Sequence, residues 1–515
     1  MEWIVLGQQK GLYKLISKTP KGGKTVGLLP KGSYLTLEQS DGGKVIMRVD
    51  ESAQYEPYSP SPLIVDMDIS GLQQDQKCLN VVGAYPVLYP STRDDGLIEP
   101  IKPQSLARRS TQEEVDLAIG EKRGKGPKVF LSSIYGSENR LLKDEKNNYI
   151  TACLPEEMYY HQTAIFGTTG SGKSVAAKYL AQYFVEEMDG CVLAINIKDD
   201  DLLKMDKPSQ SNEQIEKEWK TIGGSSKKVE KFTIYYPANT TIPSSEFVDS
   251  SLCEKISLDV NKIDPIALTA LLRGITDIAA QFLPNIFRYW REECRGRFQD
   301  FYNYFQELPE DSQYHTINSR GERGLSPPIP HGTYGNILRQ LDDVVEYFDN
   351  PDGIFISAED IIKKREFSVI NVEDDLRFGS IVLRHLLKDI VNYKRNNLDA
   401  PPVLIIIDEV HEFYSAHDSK EALDTLDKIC RKGRARKIGI IFATQEMKDI
   451  PSGLESVINT KLFFKTDIPI AKQYGISRQE MDFLKQGYAV GKIWLLPQVK
   501  IIKFPLSFSG VPVLE

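Results

Sequence analysis

Cysteine is scarce in this sequence, and long hydrophobic runs are missing from it. The 515 residues include six cysteines, and their wide spacing without a C-x-x-C pair argues against a zinc or disulfide framework. We therefore expect reduced thiols and a cytoplasmic protein. The longest apolar runs, such as residues 403–407, are far shorter than the ~18 residues that a membrane-spanning helix requires. Glu2 also differs from the positive charge that opens a signal peptide, so we expect no membrane association.

An excess of basic residues is also lacking. The 64 Lys and Arg residues against 72 Asp and Glu residues give a net charge of -8. This balance argues against a protein that coats nucleic acid with its whole surface, although it leaves room for a local basic channel. The 41% hydrophobic and 26% charged residues are typical of globular proteins, and the length predicts about two to four domains.

The pattern of apolar residues changes along the chain and divides it into three parts. Residues 1–97 carry short alternating apolar runs at 25–29, 34–37, 45–49, 63–67 and 79–82, which predict a small N-terminal β-barrel or sandwich. Residues 98–150 show weak periodicity apart from one short possible helix at 111–119, so we interpret them as a connector. Residues 151–515 alternate strand and helix patterns, typical of an α/β domain with a mainly parallel sheet. A helical insertion is predicted at about 255–310, broken near Pro284.

A glycine-rich loop carries the strongest functional signal. The strand predicted at residues 163–166 runs into the pattern G-x-x-x-x-G-K-S, and a helical run follows it. Glycines let backbone N–H groups wrap phosphates, the lysine reaches the β and γ oxygens, and the serine binds Mg²⁺. We therefore predict that ATP and Mg²⁺ bind at Gly167, Thr168, Thr169, Gly170, Ser171, Gly172, Lys173 and Ser174.

Polar residues end two of the later strands. The apolar run 403–407 ends in Asp408 and Glu409, the pattern of a buried parallel strand that delivers acids to its carboxyl edge. We assign Asp408 to Mg²⁺ and Glu409 to the general base that polarises the attacking water. Gln445 follows the strand predicted at 438–443, and its amide is a candidate sensor of the γ-phosphate, with a plain surface glutamine as the alternative.

Six basic residues and no acid occupy residues 428–437. A solvated helix end, contact with a nucleic-acid backbone, and an arginine finger supplied to a neighbouring subunit are the three interpretations. We favour the finger for Arg434 and leave Arg431, Lys432 and Arg436 open. For the histidines, the spacing of His411 and His417 favours a structural role over metal binding.

The chain resembles the HerA family of the FtsK/HerA group, whose members are RecA-like P-loop ATPases that translocate DNA. The resemblance is carried by residues 161–174, 192–203, 404–412 and 433–445. The resemblance gives Lys173, Ser174, Asp408, Glu409, Arg434 and Gln445 the family's nucleotide, metal, base, finger and sensor roles. Two positions depart from the family: His161-Gln162 stands where Arg-His is common, and Lys198 precedes three aspartates where relatives often carry a glycine beside the acid.

The resemblance implies a homohexameric ring with ATP sites between subunits and duplex DNA in a central pore. It also implies a partner, either a nuclease in DNA end processing or a nuclease or NAD-hydrolase effector in antiphage defence. The first hypothesis is thus a DNA translocase or helicase motor. The alternative is a nucleotide-gated scaffold that assembles and activates an effector with little translocation. A conjugative coupling or secretion ATPase is disfavoured because no membrane segment is present.

Overall fold

The computed structural model describes most of the chain. The described residues are 2–17, 28–38, 43–55, 79–89, 100–120, 125–135, 138–198, 202–242, 249–272, 277–307, 311–372, 375–414, 420–466, 478–497 and 499–511. The predicted strand at 63–67, most of the one at 25–29, His417 and the aspartates 199–201 lie outside them. Contacts divide the chain into two compact units, residues 1–156 with 467–505 and residues 157–466 with 506–515.

The strands, in chain order, are β1 (Glu2–Gln9), β2 (Leu12–Ser17), β3 (Tyr34–Glu38), β4 (Lys44–Tyr55), β5 (Leu79–Leu88), β6 (Leu106–Arg109), β7 (Lys128–Tyr135), β8 (Glu138–Leu141), β9 (Thr151–Cys153), β10 (Thr163–Phe166), β11 (Cys191–Asn196), β12 (Lys231–Pro237), β13 (Cys253–Ile256), β14 (His315–Ile317), β15 (Arg323–Leu325), β16 (Glu366–Asn371), β17 (Val403–Asp408), β18 (Ile438–Thr444), β19 (Thr460–Phe463), β20 (Tyr488–Lys492) and β21 (Ile501–Lys503).

The α-helices, in chain order, are α1 (Gln112–Ile119), α2 (Lys173–Glu186), α3 (Glu213–Ile222), α4 (Asp277–Glu293), α5 (Phe298–Glu307), α6 (His331–Asp342), α7 (Ala358–Ile361), α8 (Leu376–Asn396), α9 (Lys420–Lys432) and α10 (Arg478–Asp482). Pro284 lies inside α4, which continues on both sides of it. Within the described residues, no helix combines the length and the apolar character needed to cross a bilayer.

A closed antiparallel barrel forms most of the first unit, which confirms the predicted N-terminal barrel. Its strand order is β1-β2-β5-β4-β3-β6, and β6 closes it by pairing with both β1 and β3. Along β2, buried and partly exposed side chains alternate, as expected for a sheet with one face toward a core. The inward residues form one hydrophobic cluster that includes Trp3, Val5, Leu15, Leu35, Met47 and Val82.

Residues 98–150, for which the sequence indicates a connector, hold β6, α1, β7 and β8. Of the four residues of β6, only Ala107 is buried, so the strand lacks the apolar alternation that would predict it. In contrast, α1 is well marked, because Thr111 and Glu114 form a capping box at its start. The predicted domain boundaries at residues 97 and 150 stay a prediction.

A parallel sheet forms the centre of the second unit and confirms the predicted α/β class. Its strands follow the order β13-β12-β16-β11-β17-β18-β10-β19, and every neighbouring pair is parallel. All residues of β10, β17 and β18 are buried, which explains their continuous apolar character. Because these three strands are adjacent, their carboxyl ends meet at one edge of the sheet.

Candidate nucleotide site

The loop between β10 and α2 is shaped by glycines. Gly172 is the residue before α2 and has φ +102°, a conformation that other residues adopt only with strain. A methyl group on Gly167 would come within 2.6 Å of Ser171 Oγ and 2.8 Å of Phe464 Cβ. The backbone therefore turns tightly enough to leave a cradle at the amino end of α2, where unpaired helix N–H groups attract anions.

Hydrogen bonds hold this loop against the neighbouring strands. The N–H of Thr168 donates to the carbonyl of Lys465 at 2.9 Å, and the N–H of Gly167 donates to the carbonyl of Thr444 at 3.3 Å. Ser171 Oγ is buried and has no hydrogen-bond partner among the described residues. An unpartnered buried hydroxyl beside a helix amino end fits a phosphate oxygen, so these residues fit a nucleotide.

Two lysines lie against the acid pair at the end of β17. Asp408 and Glu409 are 5% and 4% exposed. Lys198 Nζ lies 2.8 Å from Asp408 Oδ2 and 3.4 Å from Glu409 Oε1, and Lys173 Nζ lies 3.5 Å from Glu409 Oε1. Burial lowers the pKa of Lys173, and the Glu409 carboxylate opposes that shift. The sheet edge thus places the loop lysine against Glu409 and a second lysine, Lys198, against both acids.

The backbone of Glu409 explains how two consecutive acids reach one site. Successive side chains of a strand point to opposite faces, but Glu409 has φ +45° and ψ +60°, which ends the strand and redirects its side chain. Its N–H donates to the Ala443 carbonyl at 2.7 Å. Thr444 Oγ1 donates to Glu409 Oε2 at 3.2 Å, and Gln445 Nε2 donates to Glu409 Oε1 at 3.4 Å. Gln445 therefore contacts the candidate base.

Several residues at this edge have no functional role that follows from the sequence motifs. Lys198 is the first, and Thr444 and Asp449 are others, since Asp449 Oδ2 lies 2.7 Å from Thr444 Oγ1 and competes with Glu409 for its single hydroxyl proton. His411 Nδ1 lies 3.9 Å from both Glu409 Oε2 and Asp449 Oδ2. The position of Lys198 and Thr444 at the ends of β11 and β18 was the available signal, because carboxyl ends of parallel strands converge.

Arg434 lies at the opposite edge of the sheet. It is exposed on the turn Gly433–Arg436, which ends two residues before the start of β18. The seven residues of β18 span about 20 Å at roughly 3.3 Å per residue, far more than an arginine side chain can reach. Its neighbour is His161, whose pKa is lowered by burial and then by the positive charge of Arg434. Arg431 instead pairs with Asp427 at 2.7 Å.

The chain has the fold class of RecA-like P-loop proteins. Three features define it: the parallel sheet, the glycine-rich loop before α2 and the acids at the end of β17. The model of a known family, described as the central domain of the helicase HerA, matches residues 140–374. Residues 140–374 of this chain are thus similar to the central domain of HerA, and the resemblance inferred from the motifs is confirmed.

Curated relatives agree with that match. The DNA double-strand break repair helicase HerA of Sulfolobus acidocaldarius is 22% identical over 369 residues, 67% of this chain and 66% of the relative. The protein of the same name from Sulfurisphaera tokodaii is 25% identical over 278 residues, 48% of this chain and 56% of the relative. The chain therefore spans 66% and 56% of the length of these two relatives, less than two thirds in both cases.

Among solved structures, the bacterial conjugative coupling protein TrwBdeltaN70 in complex with sulphate is similar to this chain at 12% identity. The TM-score is 0.49, and the match covers 79% of this chain and 95% of that protein.

Proposed function

We propose that this protein is an ATP-hydrolysing motor that moves double-stranded DNA and works as a homohexameric ring. The observation that carries the proposal is the distance between the candidate site residues. The loop, Lys173, Asp408 and Glu409 share one sheet edge, whereas Arg434 lies about 20 Å away at the other edge. A complete site then requires Arg434 from a neighbouring subunit, the arrangement that a ring supplies at every interface.

Within one subunit, each group has a distinct chemical task. The loop amides and Lys173 bind the phosphates, and Ser174 and Asp408 are the residues that would hold Mg²⁺, which adds positive charge at the phosphate oxygens. Glu409 takes the proton from the attacking water, and Gln445, 3.4 Å from Glu409 Oε1, orients that carboxylate. The neighbour's Arg434 stabilises the charge that develops during transfer.

The names of the relatives support a DNA substrate, since both are double-strand break repair helicases. We propose duplex DNA in the central pore, a cytoplasmic location, and a partner subunit of the nuclease or NAD-hydrolase type. The biological setting is DNA end processing or antiphage defence.

The test combines assembly mass with ATP hydrolysis, measured with and without linear duplex DNA. We expect a hexamer whose hydrolysis is stimulated several-fold by DNA, and loss of turnover with retained nucleotide binding in Glu409→Gln. Glu359→Gln, at an exposed glutamate of α7, is the matched control. A hexamer indifferent to DNA would favour a nucleotide-gated scaffold for an effector, and a monomer with full activity would overturn the ring.

A further inference from the structure

Gln162 is a buried polar residue at the amino end of β10. Its side chain is 0% exposed, and its backbone has φ +59°, a conformation that costs a non-glycine residue free energy. Its Oε1 accepts the N–H of Ile440 at 2.7 Å. Its Nε2 donates to the carbonyls of Ile429 and Tyr160, both at 3.3 Å. Buried amides satisfied in this way hold their partners in one arrangement.

Two of those partners flank the turn that carries Arg434. Ile429 lies in the last turn of α9, and Ile440 lies near the start of β18, with the turn Gly433–Arg436 between them. The side chain also packs against the turn itself, because a methyl group on Gly433 would lie 3.5 Å from Gln162 Nε2. One side chain therefore fixes both ends of the turn.

The other end of β10 leads into the phosphate loop. Gln162 directly precedes Thr163, and the loop begins after Phe166. A strand of four residues thus joins the nucleotide loop to the residue that holds the Arg434 turn. A displaced loop would shift that turn through a short and buried connection.

We propose that Gln162 is a positioning residue that sets where Arg434 is presented to the neighbouring subunit. The inference rests on the proposed role of Arg434 in trans. An arginine that meets a transferring phosphoryl group must be placed closely, and a displacement of about 1 Å can cost on the order of 100-fold in rate. Arg434 is exposed on a short turn, so its placement depends on what anchors that turn.

Gln162→Leu tests the proposal, because leucine fills the space and removes the three hydrogen bonds. The matched control is Gln182→Leu. Gln182 is also 0% exposed and also uses its amide in hydrogen bonds, with Glu186 and Ser509, but it lies in α2 away from the turn. We expect kcat to fall roughly 10- to 100-fold in Gln162→Leu with KM within about two-fold, and to change less than about two-fold in Gln182→Leu.

Mixed rings separate a misplaced Arg434 from a damaged nucleotide site. Gln162→Leu subunits keep an intact loop, and Glu409→Gln subunits keep a well-placed Arg434. Rings co-purified with one tag on each variant should be several-fold more active than either variant alone, because some sites combine the two intact halves. If mixed rings were no more active than Gln162→Leu rings, the defect would lie in the nucleotide site of the Gln162→Leu subunit itself, and the proposal would be overturned.

Arg434→Ala distinguishes this inference from the proposed function. If Arg434→Ala leaves hydrolysis unchanged, the role of Arg434 in trans fails. If Arg434→Ala is inactive while Gln162→Leu and Gln182→Leu have the same kcat, only the role of Gln162 fails. If Gln162→Leu does not fold, Gln162→Asn keeps the amide but withdraws it by one methylene, and the same fall in kcat with unchanged KM is expected.

Discussion

At the scale of single residues, the contact of the Lys198 ammonium group with the acid pair is the most informative one that no sequence motif indicates. It lies 2.8 Å from Asp408 Oδ2 and 3.4 Å from Glu409 Oε1. Two carboxylates this buried repel each other unless a cation lies between them. Lys198 and the proposed Mg²⁺ would therefore neutralise the same charge, and the need for the lysine would depend on whether the metal is bound.

We expect Lys198→Met to lower the free energy of unfolding by about 1 kcal/mol in the presence of EDTA, since it leaves the acids without their closest cation. Excess Mg²⁺ should recover part of that loss. Thermal unfolding in both buffers measures the difference. Lys262→Met is the control, because Lys262 pairs with Asp259 at an exposed position. If Lys198→Met lost the same stability in both buffers, the prediction would be contradicted.

A second residue-scale prediction concerns pH. His385 is buried, its Nδ1 accepts the N–H of Asp264 at 3.1 Å, and burial lowers its pKa despite Asp389 and Asp264, with Lys388 adding to the lowering. The unfolded chain therefore takes up the proton first as pH falls through ~6.5, so the contribution to stability is complete above that value and lost below it.

We expect the free energy of unfolding to fall between about pH 7.5 and about pH 5.5, by at most about 1.4 kcal/mol per pH unit from this residue. The fall should be smaller in His385→Asn. Urea unfolding at the two pH values measures it. His331→Asn, which changes an exposed histidine, should show the same fall as the unmodified protein.

At the scale of elements, β18 shows how closely the parts of the sheet pack. A methyl group on Gly439 would lie 2.2 Å from the carbonyl oxygen of Tyr159, whereas one on Gly335 in α6 would meet nothing within 4 Å. The same substitution should therefore have opposite effects at the two positions. At Gly439 the added methyl group would overpack the site and displace the backbone. At Gly335 alanine would lower the conformational entropy that the chain loses on folding.

We expect Gly439→Ala to destabilise the protein by about 1–3 kcal/mol or more and Gly335→Ala to stabilise it by about 0.5–1 kcal/mol. Chemical denaturation of both variants measures the two changes. A stable Gly439→Ala protein would show that β18 can move away from the segment before β10.

Elements with a strong local pattern could be predicted from the sequence. The strand before the loop, the loop itself and the apolar strand ending in Asp408 are where their patterns indicate. The sequence places Lys198 just after a strand end, but which acids it contacts depends on β11 lying beside β17, and only long-range pairing determines that. The closure of the barrel by β6 was missed for a related reason, since its pairing and not its composition makes it a strand.

At the scale of the whole molecule, the two sheet edges predict how subunits complement each other. Glu409→Gln removes the proposed base and keeps Arg434, whereas Arg434→Ala does the reverse. Each variant alone should be inactive. Rings that contain both in equal amounts should recover up to roughly a quarter of the wild-type rate, the share of interfaces in a closed ring that pair the two intact halves.

Hydrolysis by rings co-purified with two different tags measures this recovery. The double variant Glu409→Gln with Arg434→Ala, mixed with either single variant, supplies the control, because no interface then holds both groups. Recovery there, or none in the first mixture, would contradict a site shared between subunits.

The left-handed backbone at Glu409 has a consequence for how this position can evolve. A non-glycine residue held at φ +45° costs about 1–2 kcal/mol of backbone free energy, so selection on backbone conformation alone would favour glycine or asparagine at this position. Selection for the proposed hydrolysis would instead favour the glutamate, and the two pressures would act in opposite directions on one codon. Glu409→Gly should therefore relieve the backbone cost but leave Lys173 and Lys198 without the carboxylate they share, so we expect it to lose turnover with no gain in thermal stability.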